Sequence, residues 1–264
     1  METIHGPVVA GAFYPADAGN LRAQIRHLLD QATPPATRGG RTVGLIVPHA
    51  GLIYSGPVAA TAYALLEGAR FERIVITGPS HFSWFEGIAA LPADGWRTPL
   101  GVVRLEMPAA NGLVKRTALP FAVEHSLEVQ LPFLQETLPE AVVTPLLFGD
   151  VETAAAGLLL DRILGPDDLL VVSSDLSHYL ERVEAEQLDA ATAGAIVAIR
   201  PEALGPHAAC GRIGIQTALV LASRRNWHVD LLGLATSADT AGGPDRVVGY
   251  GAFALTTSSE QISD

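Results

Sequence analysis

Three histidines each stand a few residues past an apolar, strand-like run. Val43–Val47 ends two residues before His49, Arg73–Thr77 four before His81, and Leu169–Ser174 four before His178. In an open α/β sheet, ligands bind outside the carboxyl ends of the strands, where loops and helix N-termini gather. Imidazole titrates near neutrality and is the commonest side-chain metal ligand. Three rings delivered to one sheet edge therefore point to a metal or proton-transfer site.

The residues around each ring sharpen this. His49 lies in Pro48-His49-Ala50-Gly51, ahead of Tyr54-Ser55-Gly56-Pro57, a composition that forces a tight backbone path and suits an imidazole of fixed orientation. Gly78-Pro79-Ser80-His81-Phe82 repeats the logic at the next strand: Gly78 permits close backbone approach and Ser80 a local hydrogen bond. Ser173-Ser174-Asp175-Leu176-Ser177-His178-Tyr179 is the densest polar cluster, standing on the most apolar strand. Asp175 could orient the His178 ring and raise its basicity, making the pair a catalytic acid–base unit, or it could cap the next helix. A serine-hydrolase reading lacks its Gly-x-Ser-x-Gly elbow.

Cys210 precedes a helix, a position expected to depress a thiol pKa and favour the thiolate that binds metals; the alternative is a small buried hydrophobe. His207-x-x-Cys210 has no second pair to complete a zinc site. Glu124 and His125 open a further helix, where capping explains them almost as well as function. They are expected around the ligands rather than among them. His5, His27, His207 and His228 have no comparable context and read as surface or structural.

The elements that must position these residues alternate as strand and helix. An irregular stretch over 6–20 leads to a helix over Leu21–Ala32 capped by Asn20, and a Pro- and Gly-rich connection over Thr33–Arg41. After the strand Val43–Val47, a helix is expected over Pro57–Glu67, stopped by Gly68. Gly87–Leu91 and Val102–Leu105 flank a turn-rich stretch and read as a hairpin or edge excursion, and Pro108–Arg116 as a short helix. Ser126–Thr137 shows helical spacing that Pro132 should disturb. Val142–Phe148, Thr153–Leu164, Leu169–Ser174, Glu184–Ile199, Gly211–Ser223, Val229–Ala235 and Val247–Leu255 then read as strand, helix, strand, two helices and two strands. One α/β domain with a mixed central sheet flanked by helices fits this order.

Composition agrees. A chain of 264 residues, 48% hydrophobic and 17% charged, has a sizeable core. A net charge of −11 and a single lysine, Lys115, argue against nucleic-acid binding. No apolar run approaches the ~18–20 residues that span a bilayer. The start lacks the features of a secretion signal, and one cysteine allows no intrachain disulfide, so the expected location is cytoplasmic.

Taken in order, the motifs around His49, His81 and Asp175–His178, with Thr98-Pro99-Leu100-Gly101, Glu124-His125-Ser126 and Cys210-Gly211, resemble the Memo family. Ala10-Gly11-Ala12-Phe13-Tyr14-Pro15 and Val247-Val248-Gly249-Tyr250 resemble its terminal motifs. Its prokaryotic branch is called AmmeMemoRadiSam system protein B. The resemblance implies a fold similar to class III extradiol ring-cleaving dioxygenases. It implies His49, His81 and Cys210 as metal ligands, His178 as the acid–base histidine, and Cys210 in the place of a carboxylate. Thiolate would shift the preferred ion towards iron, copper or zinc. Tyr54 and Ser80 would stand beside the ligands, and Tyr54, Phe82, Trp84 and Tyr179 could form an aromatic wall. The function implied is a metal-dependent redox enzyme. The alternatives are a module binding a peptide, a small molecule or partners such as an AMMECR-domain protein and a radical SAM protein, and, last, a metal hydrolase.

Overall fold

The computed structural model describes residues 2–108 and 112–258. In chain order its elements are β1 (Ile4–His5), α1 (Ala18–Gln31), β2 (Thr42–Val47), α2 (Leu52–Tyr63), β3 (Arg73–Pro79) and β4 (Ile88–Ala90). β5 (Gly95–Thr98), β6 (Gly101–Arg104), β7 (Val114–Arg116), α3 (Leu131–Thr137), β8 (Val142–Phe148) and α4 (Thr153–Ile163) follow. The rest are β9 (Asp168–Ser173), β10 (His178–Leu180), α5 (Arg182–Val197), α6 (Arg212–Arg225), β11 (His228–Thr236) and β12 (Val247–Thr256).

β2, β9, β3 and β8 lie side by side, all parallel. β12 joins antiparallel outside β2, and β11 antiparallel to β12. On the other flank β4 runs antiparallel to β8, with β7 beyond it. The main sheet is thus mixed, and the carboxyl ends of β2, β9 and β3 form one continuous stretch of its edge. β1, β5 and β6 make a separate small sheet.

The central strands are covered on both faces, which is why they read as unbroken apolar runs. Leu45, Val47, Ile74, Ile76, Leu169 and Val171 pack with α1 and α2 in one core, whereas Ile46, Val75, Leu170 and Val172 pack with α4, α5 and α6 in the other. The split follows the two-residue period of a pleated strand. Each of these side chains is fully buried and contributes about 1.5–3 kcal/mol, so the strand ends rest on a stiff support.

Several boundaries differ from the sequence expectation. Asp17, not Asn20, caps α1: its Oδ1 accepts the Asn20 N–H at 2.8 Å, and the helix starts at Ala18. α2 starts at Leu52 rather than Pro57, because the Leu52 N–H finds the Phe13 carbonyl at 2.8 Å. That leaves only residues 48–51 between β2 and the helix, and His49 is tightly held. Pro57 is accommodated inside α2. The hairpin is β5–β6, around Pro99-Leu100, while the Gly87–Leu91 run supplies β4 to the main sheet. Where a helix was expected over 108–116, Val114–Arg116 is an edge strand paired with β4, a partner remote in sequence; residues 109–111 lie outside the described residues. Among the described residues no helix is long and apolar enough to cross a membrane.

Candidate metal centre

β2 and β3 bring His49 and His81 into contact, with ring centroids 5.2 Å apart and planes at 83°. His125 comes from the loop between β7 and α3. It stacks on His81 at 4.8 Å and meets His49 edge-on at 5.5 Å. One nitrogen of each ring lies within 4.8 Å of the other two, so His49, His81 and His125 form a group that could hold a metal ion. The strand-end argument placed His125 outside the ligands, since no strand ends beside it. The available signal was the adjacent acid, Glu124.

Glu124 organises that half of the site. Its Oε2 accepts the His81 N–H at 2.5 Å, and Oε1 accepts His81 Nδ1 and the N–H groups of His125 and Ser126, each at 2.9 Å. Burial pushes this carboxyl up, but the hydrogen bonds and charge of His81 outweigh it and hold Glu124 below the usual range.

Hydrogen-bond accounting fixes the free nitrogens. Ser173 Oγ donates to the Ser126 carbonyl at 2.5 Å and accepts Gln130 Nε2 at 2.8 Å. Its remaining lone pair must therefore accept His49 Nδ1–H, at 2.9 Å. His178 Nδ1 donates to the Leu176 carbonyl at 2.9 Å, and His81 Nδ1 to Glu124. In the neutral form of these three rings the proton sits on Nδ1 and Nε2 keeps its lone pair, the arrangement that such bonds impose on metal-ligating imidazoles. Burial, then the neighbouring imidazoles, hold His49 well below its usual range. Burial sets His125 at about 4 and also lowers His178.

Cys210 Sγ lies 3.3 Å from His49 Nε2 and 3.8 Å from Ser174 Oγ, so the structure brings the sulfur to the His49 imidazole, although the sulfur is outside the three-histidine group. The expected depressed thiol pKa is overturned. Burial, reinforced by the Asp175 charge, pushes Cys210 up to about 12, and the helix α6 that starts at Arg212 does not offset this. Asp175 also departs from its expected role. Its Oδ1 accepts the His49 N–H at 2.7 Å, while the His178 ring is oriented by a backbone carbonyl. Burial pushes Asp175 up to about 7. Asp189 supports the His178 turn from behind, accepting Ser177 N–H and Oγ–H, both at 3.0 Å.

Above the imidazoles opens a cavity of about 700 Å³, with His178, Tyr54 and Tyr179 in its walls together with Phe13 and Tyr250, which the sequence reading missed. Tyr179 has φ 59°, an unusual conformation for a bulky residue, and is exposed. Trp84 lines a second cavity of about 480 Å³ that reaches His81 and Cys210. Ser80 bonds the Ser83 carbonyl at 2.7 Å and so shapes the His81 loop.

Comparison with known proteins agrees with the motif pattern. A family model described as Memo-like protein matches residues 5–254. A MEMO1 family protein of Ignicoccus hospitalis is 36% identical, covering 94% of this chain and 97% of its own length. MEMO1 family proteins of Methanopyrus kandleri and Aquifex aeolicus are each 34% identical, with the same coverage. The chain belongs to the Memo-like protein family.

Proposed function

We propose that this protein is a metal-dependent redox protein of dioxygenase-like chemistry, with iron or copper held by His49, His81 and Cys210. The observation that carries the reading is that His49 and His81 are each held by a bond at Nδ1, which leaves Nε2 for an ion, with the Cys210 sulfur 3.3 Å from His49 Nε2. Ions of this class take imidazole nitrogen at about 2.1 Å, so nitrogens sharing one stand within about 4.2 Å of each other. One nitrogen each of His49 and His81 lies within 4.8 Å of the other, near that limit. Low basicity suits the same purpose, since few protons compete for the buried lone pairs. The bound ion would supply a redox-active Lewis acid with an open position. His178, with its free Nε2 on the shared cavity, moves the proton; Asp175 fixes the His49 backbone; Glu124 holds His81 and His125 face to face.

Elemental analysis of protein purified without added metal is expected to find about one such ion per chain, a figure that follows from a single three-ligand site. The double variant H49A/H81A should lose it; unchanged metal content would defeat the proposal. Because His125 also lies in the nitrogen cluster, C210A and H125A identify the third ligand by which one releases the ion. Exposed Phe82, Trp84 and Tyr179 favour a second reading, docking of a peptide or partner protein. Full partner binding by a metal-free H49A/H81A protein would select it.

A further inference from the structure

We propose that the cavity above the imidazoles is a binding site for a small organic acid, with Arg246 taking its carboxylate. Among the described residues Arg246 is the one arginine or lysine in the cavity wall. Many other arginines of this acidic chain are paired: Arg22 and Arg26 with Glu136, Arg38 with Asp230, Arg73 with Asp168, Arg182 with Asp239, and Arg225 with Asp161. Among the described residues Arg246 has no ion pair and no hydrogen bond. The adjacent Asp245 forms no ion pair with it among the described residues, and Asp239 is already committed to Arg182 and to the Thr236 N–H and Oγ–H. Asp175, the sole carboxylate in the wall, is buried, with one oxygen on the His49 N–H.

The cavity thus carries one uncommitted guanidinium on a wall otherwise made largely of imidazoles, other aromatic rings and backbone. A guanidinium offers a planar fork of donors that matches a carboxylate in a two-point contact. One such fork suits a monoanion; a phosphate dianion would call for further cations or a row of backbone N–H groups. The remaining surface, with Phe13, Tyr54, Tyr179 and Tyr250, suits a flat apolar body. A volume of about 700 Å³ is that of a small-molecule pocket. This rests on the proposed redox centre opening into the same cavity, yet the Arg246 contact stands without any ion.

The test is calorimetric titration of the full chain with benzoate and 3-phenylpropionate against their amides, which keep the shape and lose the charge. Wild-type protein is expected to bind at least one acid tenfold or more tighter than its amide. R246Q, at an exposed position and with an unchanged unfolding midpoint, should erase that preference, and R246K should keep part of it. Equal affinity for acid and amide in wild type, or an intact preference in R246Q, would overturn the proposal. Metal content is measured on the same samples. Metal-loaded wild type without acid preference sinks the acid site alone. Metal-free wild type that prefers the acid supports it while sinking the metal reading.

Discussion

Glu124→Gln isolates what one buried carboxylate does for the centre. The wild-type oxygens serve four donors: Oε1 takes His81 Nδ1–H and the N–H groups of His125 and Ser126, and Oε2 takes the His81 N–H. A glutamine must turn its amide nitrogen towards one set. Facing three donors is worse than facing one, so the oxygen keeps the Oε1 position and the NH₂ group meets the His81 N–H. That part-buried N–H is orphaned at a cost of about 1–3 kcal/mol at most, and three bonds to a charge weaken to ordinary ones, by about 1 kcal/mol each. Removing a buried charge returns part of this, leaving a net loss of about 2–4 kcal/mol. Urea unfolding of the metal-free protein at neutral pH measures it. Metal affinity, read by competition with a chelator, is expected to fall about 10–100-fold because His81 loses the partner that fixes its tautomer. A variant within about 0.5 kcal/mol of wild type, binding metal as tightly, would refute the role given to Glu124.

Acid should destabilise the metal-free protein through its buried imidazoles. His125 sits at about 4 when folded against an ordinary 6.5, so between those values the unfolded chain binds the extra proton. Stability is then full above pH 6.5 and falls by about 3 kcal/mol as pH drops towards 4, a share that H125Q should abolish in urea titrations across this range. Asp175 acts with opposite sign: at about 7 when folded against 3.8, it contributes more as pH falls through that window, and D175N should steepen the acid loss. At Gly249 a new Cβ would fall 1.8 Å from Asp189 Oδ2. G249A should therefore displace the carboxylate that holds Ser177, lowering stability by about 3 kcal/mol or more, beyond ordinary overpacking; a thermal midpoint within about a degree of wild type would contradict this.

The central strands were legible because fully buried strands write themselves as apolar runs, and β2, β9 and β3 each end just before a polar, Gly- or Pro-containing turn. β1, β5 and β7 were not. Each is short and mixes types as in Trp96-Arg97-Thr98; β1 and β7 exist through a partner distant in sequence, and β5 pairs with distant β1 as well as with its hairpin neighbour β6. The same locality limits the site. His49, His81 and His178 follow from strand ends. His125 comes from a loop, and its place is set by Glu124 bonding His81 in the loop after β3. Gln130 was invisible for the same reason: its amide ties Pro48 to Ser173, and only the tertiary fold puts these together. Asp175 misled because neighbours in sequence were assumed to be partners, whereas its oxygen reaches back to the turn after β2.

β12, the latest of the described strands to be synthesised, inserts between β11 and β2 rather than extending a finished edge. It also carries Tyr250 and Val248 into the cavity wall. Until it arrives, β2 presents an unpaired flank and His49 stands at the margin of an unfinished scaffold. A nascent chain that has exposed all its histidines still lacks Tyr250 and Val248, so the cavity wall is completed only once β12 is in place.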